Sequence, residues 1–247
     1  MNKTALITGG TGGIGTAICR ALADQGIDVA ASYLAGIDDI DTWQKNQQAD
    51  GYNFHCVAGD VADFDSAQQM VADATEALGK IDILVNGAGI TRDAILRRMK
   101  FEQWDQVIRT NLDSVFNVSK AVLPAMSKLR WGRIINIASI NGQKGQAGQT
   151  NYAAAKAGMH GFTMSLAQEV AKQNITVNTI SPGYVATPML DAMPTKVVNQ
   201  LIADIPIGRL AQPDEIAWTI EFLINEKAAF ITGADIAVNG GMYMSWF

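Results

Sequence analysis

Tyr152-Ala153-Ala154-Ala155-Lys156 places a phenol and an ammonium four residues apart, so on a helix they share one face, one turn apart. A cation beside a phenol favours the phenolate and draws its pKa down from about 10, which makes a tyrosine usable as an acid or base near neutral pH. Ser139 ends an apolar run thirteen residues earlier and could hydrogen-bond a substrate carbonyl oxygen; the competing use of such a serine is to cap a turn or helix. Asn111 falls inside a helical pattern, where its amide competes with the backbone, so it either caps a break or has a polar partner. The chain has only two histidines, His55 and His160, and two cysteines, Cys19 and Cys56. A His-rich metal centre and a four-thiolate zinc site are excluded, and acid/base chemistry near pH 7 must fall to other side chains.

A second constellation is Thr8-Gly9-Gly10-Thr11-Gly12-Gly13-Ile14-Gly15, which joins a strand-like run to an amphipathic stretch. In that setting backbone N–H groups and a helix N-terminus hold a pyrophosphate, with glycines allowing close approach. Gly10, Gly12 and Gly15 fit G-x-G-x-x-G, while Thr8, Gly9, Gly13 and Gly15 fit T-G-x-x-x-G-x-G. No Gly-Lys-Ser/Thr follows, which excludes a Walker phosphate loop. An acid roughly 20 residues on would hold the ribose of NAD, and an arginine nearby would hold the 2′-phosphate of NADP. Here the second run ends Ser32-Tyr33-Leu34, Asp38 and Asp39 come later, and no Lys or Arg lies between Arg20 and Lys45, so the choice stays open.

Short β-branched runs near 4–8, 28–33, 53–58, 81–86, 133–138, 175–180 and 235–238 alternate with helical patterns near 15–25, 42–50, 65–78, 102–128, 152–172 and 213–224. That alternation predicts an α/β chain: one Rossmann-like, doubly wound, seven-stranded parallel sheet with helices on both faces, a single domain over 1–247. Pro188, Pro194 and Pro206 interrupt 184–212, which reads as a mobile substrate lid. Of the 247 residues, 48% are apolar and 17% charged, which is too apolar for intrinsic disorder. The net charge is −5 with the basic residues dispersed, which argues against nucleic acid as principal partner. Apolar runs are strand-sized and no secretory leader is evident, so the expectation is a soluble, cytoplasmic protein without membrane association.

The chain resembles the short-chain dehydrogenases/reductases over essentially its whole length. The resemblance rests on Thr8-Gly9-x-x-x-Gly13-x-Gly15, Asp60, Asn86-x-Ala88-Gly89, Asn111, Ser139, Tyr152-x-x-x-Lys156 and Pro182-Gly183, in order and at family spacing. Gly87 departs from the second Asn of the family's Asn-Asn-Ala-Gly. The resemblance implies that Tyr152 gives or takes the substrate oxygen's proton and that Ser139 holds that oxygen. Lys156 would tune Tyr152 and bind the nicotinamide ribose, and Asn111 would hold a water linking Lys156 to solvent. Implied cofactor contacts are Thr8, Gly9, Gly12, Gly13, Ile14, Gly15, Asp60, Val61, Asn86, Gly87, Ala88, Gly89, Tyr152, Lys156, Pro182, Gly183 and Val185. Asp60 and Val61 would flank the adenine, and Asn86 to Gly89 the adenosine ribose. The family resemblance favours NADP(H), while the residue chemistry leaves NAD(H) open.

Within the family, Ser139 to Tyr152, Gly89 to Asp93, Trp131 to Ile134 and His160 to Thr163 are similar to the acetoacetyl-CoA reductases of polyhydroxybutyrate synthesis. That likeness implies an acyl-CoA substrate contacted by Asp93, Ser139, Gln146, Gln149 and Tyr184, the two glutamines donating to acyl and thioester oxygens. Arg92, Arg97, Arg98, Lys100 and Lys144 are the nearby cations; Arg97 or Arg98 is the candidate phosphate contact, unless the cluster is a solvated face. The alternative is 3-oxoacyl-acyl-carrier-protein reductase, with Lys128, Arg130, Arg133 and Lys172 as a basic docking surface. A non-catalytic dinucleotide-binding protein would usually lack Tyr152 or Lys156, and both are present. The family implies a homotetramer, in which the helices near 102–128 and 152–172 and the apolar tail Met242 to Phe247 would be covered.

Overall fold

The computed structural model describes residues 2–191 and 194–244. Among them, seven strands form one parallel sheet in the order β3-β2-β1-β4-β5-β6-β7. The strands are β1 Thr4–Thr8, β2 Asp28–Tyr33, β3 His55–Ala58, β4 Ile83–Asn86, β5 Gly132–Ile137, β6 Ile175–Pro182 and β7 Asp235–Val238. The helices are α1 Gly13–Asp24, α2 Ile40–Ala49, α3 Phe64–Leu78, α4 Phe101–Ile108, α5 Ser114–Leu129, α6 Ile140–Lys144, α7 Thr150–Val170, α8 Pro188–Asp191, α9 Thr195–Ala203 and α10 Pro213–Ile224.

The strands are apolar on both faces because helices cover both. Side chains alternate: Ile7, Val29, Val85, Ile135 and Ile180 meet Ile18 and Leu22 of α1 and Ile216, Ile220 and Leu223 of α10. Leu6, Ala30, Leu84, Ile134 and Val177 face the other way, against Met70 of α3, Val118, Val122 and Met126 of α5, and Leu166 and Val170 of α7. Strand order reverses between β1 and β4. A crevice at such a switch point, beyond the carboxyl ends of the strands, is where doubly wound sheets take their ligands.

Two features depart from the sequence expectation. The single helix expected near 102–128 is α4 and α5 joined by a π-turn, Arg109–Asp113. Asn111 causes it: its Nδ2 donates to the Val107 carbonyl four residues back, at 2.9 Å, taking the acceptor that a regular helix reserves for the backbone. The second is α6, a five-residue helix too polar and too short to register as a periodic pattern.

The segment 184–212 leaves and rejoins the body at one point. Val185 bridges Ala211, Ala186 N–H donates to the Ala211 carbonyl, and Ala211 N–H donates to that of Tyr184. Within it stand α8 and α9; residues 192–193 lie outside the described residues, as do Trp246 and Phe247 of the tail. No helix among the described residues is long and apolar enough to cross a membrane.

Candidate active site

The glycine loop follows β1 and turns into α1, whose N-cap Gly12 carries no capping side chain and whose first turn has no acid. The free N–H groups of that turn and the positive end of the helix dipole are suited to a pyrophosphate. Thr8 is buried, and its hydroxyl oxygen accepts from Gly87 N–H at 3.0 Å and Ala88 N–H at 3.2 Å, fastening the loop after β4 to the loop after β1. Asn86 is also buried; its amide N–H groups donate to Asn136 Oδ1 and Ser119 Oγ. Gly89 follows at the mouth of the crevice, and Gly13 lies against Thr187 and Pro188 at the start of α8.

Asp60 is exposed beyond β3, its carboxylate accepting from Ala62 N–H, and the carbonyl of buried Val61 accepts from Asn117. Ser32 is buried and accepts from Gly9 N–H at 3.2 Å, so it builds the loop. Asp38, which looked too distant in the sequence, folds back: its carboxylate accepts from Leu34 N–H, directly beyond β2, at 2.7 Å. Asp39 caps α2. At the far side, Gly183 N–H donates to the Val238 carbonyl, holding Pro182 and Gly183 at the end of β6, and Val185 is buried beneath them in the chain.

The four acid/base candidates come from three places along the chain. Ser139 stands two residues beyond β5 and caps α6, its hydroxyl accepting from Asn141 N–H at 3.1 Å. The capping reading of Ser139 is thus observed, and it leaves the other use open. Since the oxygen accepts from the backbone, the hydroxyl proton is free to donate elsewhere. Tyr152 stands on the first turn of α7, fixed by Asn151, whose side chain accepts from Tyr152 N–H and donates to the carbonyls of Arg92 and Gln103. Lys156, one turn on, is buried; its ammonium donates to the Ile137 carbonyl at 2.7 Å and lies 5.6 Å from the Tyr152 ring centroid.

Asn111 donates to the carbonyls of Ile90 and Val107, while its buried Oδ1 has no partner. A Cβ on Gly89 would fall 2.5 Å from that oxygen and 3.5 Å from Lys156 Nζ, so the absent side chain keeps open the space between them. An acceptor without a donor beside a buried ammonium is a place for a bridging proton carrier.

Burial decides the electrostatics. It pushes Lys156 down to about 7 and pushes the Tyr152 phenol up; the Ser139 hydrogen bond opposes the rise, and the Asp93 carboxylate adds to it. In the protein without cofactor, burial therefore outweighs the Ser139 hydrogen bond and favours the protonated phenol. The stability of the protein without ligand should follow. Between about pH 7 and the ordinary lysine value of 10.5, the unfolded chain holds a proton that native Lys156 has lost, so folding stability rises with pH across that window. Urea titrations at pH 7 and 9 should show a gain in wild type that is smaller in Lys156→Met. Equal gains would refute the burial cost.

On the substrate side, the structure joins Gln149 and Asp93 and leaves Gln146 exposed. Gln149 accepts from Asn141 and donates to Asp93, both at 2.8 Å, so it links α6 to the loop after β4 and has one N–H left to offer. Tyr184 is half-buried at the root of 184–212. Arg92, Arg97, Arg98 and Lys100 are exposed, the central pair on a short 3-10 turn. Arg133 must be struck from the basic docking surface: it is fully buried, its guanidinium donating to the carbonyls of Gly132 and Asn174 and lying 4.5 Å from the Trp131 ring. Sequence reading missed Asn141 and Asn151. A polar residue adjoining a candidate Tyr or Ser at a helix start was the available signal.

An open helix N-terminus at the switch point, next to a tyrosine, serine and buried lysine, defines a nicotinamide-dinucleotide oxidoreductase. A family model described as short chain dehydrogenase matches residues 3–197, and the chain belongs to that family. It is 50% identical to an acetoacetyl-CoA reductase of Cupriavidus necator over 242 residues, 98% of each chain. It is 51% identical to one from Allochromatium vinosum over 245 residues, 99% of this chain and all of the other. A 3-oxoacyl-[acyl-carrier-protein] reductase of Staphylococcus aureus is 43% identical over 244 residues, 99% of each.

Proposed function

We propose that the chain reduces acetoacetyl-CoA to (R)-3-hydroxybutyryl-CoA, the reduction used in polyhydroxybutyrate synthesis, as a cytoplasmic homotetramer. The observation that carries this reading is half identity, over nearly the full length, to acetoacetyl-CoA reductases of two organisms. When bound, the nicotinamide supplies a hydride to the substrate's carbonyl carbon. The Ser139 hydroxyl donates to the carbonyl oxygen, and Tyr152 gives that oxygen its proton as negative charge develops there. A phenol held protonated by burial is in the right state to act as this acid. Lys156 binds the nicotinamide ribose and supports the phenolate left behind, and Asn111 Oδ1 holds the water through which the proton is replaced.

For the remaining cofactor contacts, the glycine loop and α1 take the pyrophosphate, Asp60 and Val61 flank the adenine, and Ala88 and Gly89 border the ribose. Asp38 at the end of β2, with no cation between Arg20 and Lys45, supports NADH over the NADP(H) that the family resemblance favours, because a 2′-phosphate would meet a carboxylate. Asp93, Gln146, Gln149 and Tyr184 line the acyl end, and Arg97 or Arg98 meets a phosphate of the coenzyme. The tetramer reading rests on the groove of about 540 Å³ between α5 and α7, lined by Phe116, Leu123 and Phe162, a face suited to a second copy.

A carrier-protein substrate is the second reading, supported by the Staphylococcus relative. Against it, Lys128, Arg130 and Lys172 are exposed at the amino ends of β5 and β6, about 20 Å of strand away from Ser139. Initial rates with acetoacetyl-CoA and acetoacetyl carrier protein, each with NADH and NADPH, test both choices. The expected best pair is acetoacetyl-CoA with NADH. A strong preference for the carrier protein would overturn the substrate reading, and one for NADPH the cofactor reading.

A further inference from the structure

We propose that Asp235, on the last strand, is a positioning residue for Ser139, acting through Gln143. The inference rests on Ser139 and Tyr152 serving carbonyl reduction as described above. The Ser139 hydroxyl is aimed by α6, because its oxygen accepts from the backbone of Asn141 in that helix. A five-residue helix cannot hold itself in place; isolated helices below about 12 residues are marginal in water. Something outside α6 must fix it.

One end is fixed by the sheet, where Ala138 N–H donates to the Ile180 carbonyl at 2.8 Å. Its middle is held by the Asn141–Gln149 bond and by Gly142 lying against the Lys156 backbone, and its far end by Gln143, whose amide donates to Asp235 Oδ2 at 2.6 Å. Beyond it, α6 ends at Gly145, and Lys144 to Ala147 are exposed, so this is the last anchor before solvent. Asp235 is in turn held from behind: Oδ1 accepts from the buried Ser181 hydroxyl at 2.7 Å. His160 of α7 stands 3.5 Å from Oδ2 without a hydrogen bond on either ring nitrogen. One carboxylate therefore gathers α6, β6 and β7 and faces α7, the helix that carries Tyr152 and Lys156. A charge-assisted hydrogen bond of this kind is the strong sort, and α6 transmits it to the hydroxyl that meets the substrate oxygen.

The test compares Gln143→Leu in the wild-type and Ser139→Ala backgrounds, with Asp235→Asn as a second variant. Gln143→Leu should lower kcat about tenfold, a loss typical of slight misplacement, with the KM for the nicotinamide cofactor and the melting temperature unchanged. In the Ser139→Ala background the same substitution should cost less than about twofold, because residues acting as one unit are not additive. Asp235→Asn should behave likewise. A full loss persisting without Ser139, or an unchanged kcat, overturns the positioning role alone. If Ser139→Ala costs nothing, the catalytic reading falls and this inference with it.

Discussion

Tyr152→Phe should lower kcat for acetoacetyl-CoA reduction about a thousandfold while leaving the dissociation constant for NADH within about twofold. The substitution removes one oxygen and little else. The ring keeps its place on α7, and the Lys156 ammonium keeps its contact with the ring face and its hydrogen bond to Ile137. The proposed proton donor is lost, and the proposed Ser139 hydrogen bond to the oxyanion remains. A hydroxyl that can only share its proton stabilises developing charge but does not neutralise it, so residual turnover should survive. Steady-state rates and a fluorescence titration with NADH separate the two quantities. Retention of more than a tenth of the wild-type kcat would refute Tyr152 as the acid.

Gly15→Ala should abolish cofactor binding at working concentrations, raising the dissociation constant at least about thirtyfold, or about 2 kcal/mol. Helix propensity alone predicts the opposite sign for stability, since alanine within a helix is worth about 1 kcal/mol over glycine. Here the new Cβ would collide with the Gly9 carbonyl oxygen and lie 2.8 Å from Gly10 Cα. Both are backbone atoms of the phosphate loop, and neither can rotate away. Overpacking of this kind costs about 1–3 kcal/mol, so it cancels the propensity gain and displaces the loop as well. A melting curve near wild type combined with lost NADH binding is the expected pair of results. Unchanged binding would show that the loop has slack that the close contact denies.

Much of this was legible beforehand because the fold announces itself through period and punctuation. Seven short runs, all but the second closed by Gly, Asn, Ser or Pro, matched strand positions within two residues, and the glycine loop announced the switch point. Tyr152, Lys156, Ser139 and Asn111 were readable from type and spacing, and the crevice does bring them to one end of the sheet. What was not legible depends on side chains choosing partners. Asn111 took a backbone acceptor and turned one long helix into two. Asp38 reached back across four residues to the end of β2, so distance along the chain misjudged its place. Arg133 vanished beneath Trp131, where composition had counted it as surface charge. Spacing along α7 also carries no information about burial, which raises the Tyr152 phenol and lowers Lys156.

A net charge of −5 leaves the proposed anionic ligands to be met by local positive ends. One is made of backbone, the uncapped and acid-free first turn of α1, which no count of lysines and arginines records. The exposed Arg97–Arg98 pair on its 3-10 turn is the one proposed for the coenzyme phosphate.

The Thr8 hydroxyl, which accepts from both Gly87 and Ala88, makes the loops after β1 and β4 a single unit of inheritance. A chimera that takes one loop from a relative with a different residue at position 8 would inherit half of a joint. Natural recombination within this family should therefore tolerate breakpoints outside residues 8–88 more readily than between them, a constraint set by one oxygen atom with two lone pairs.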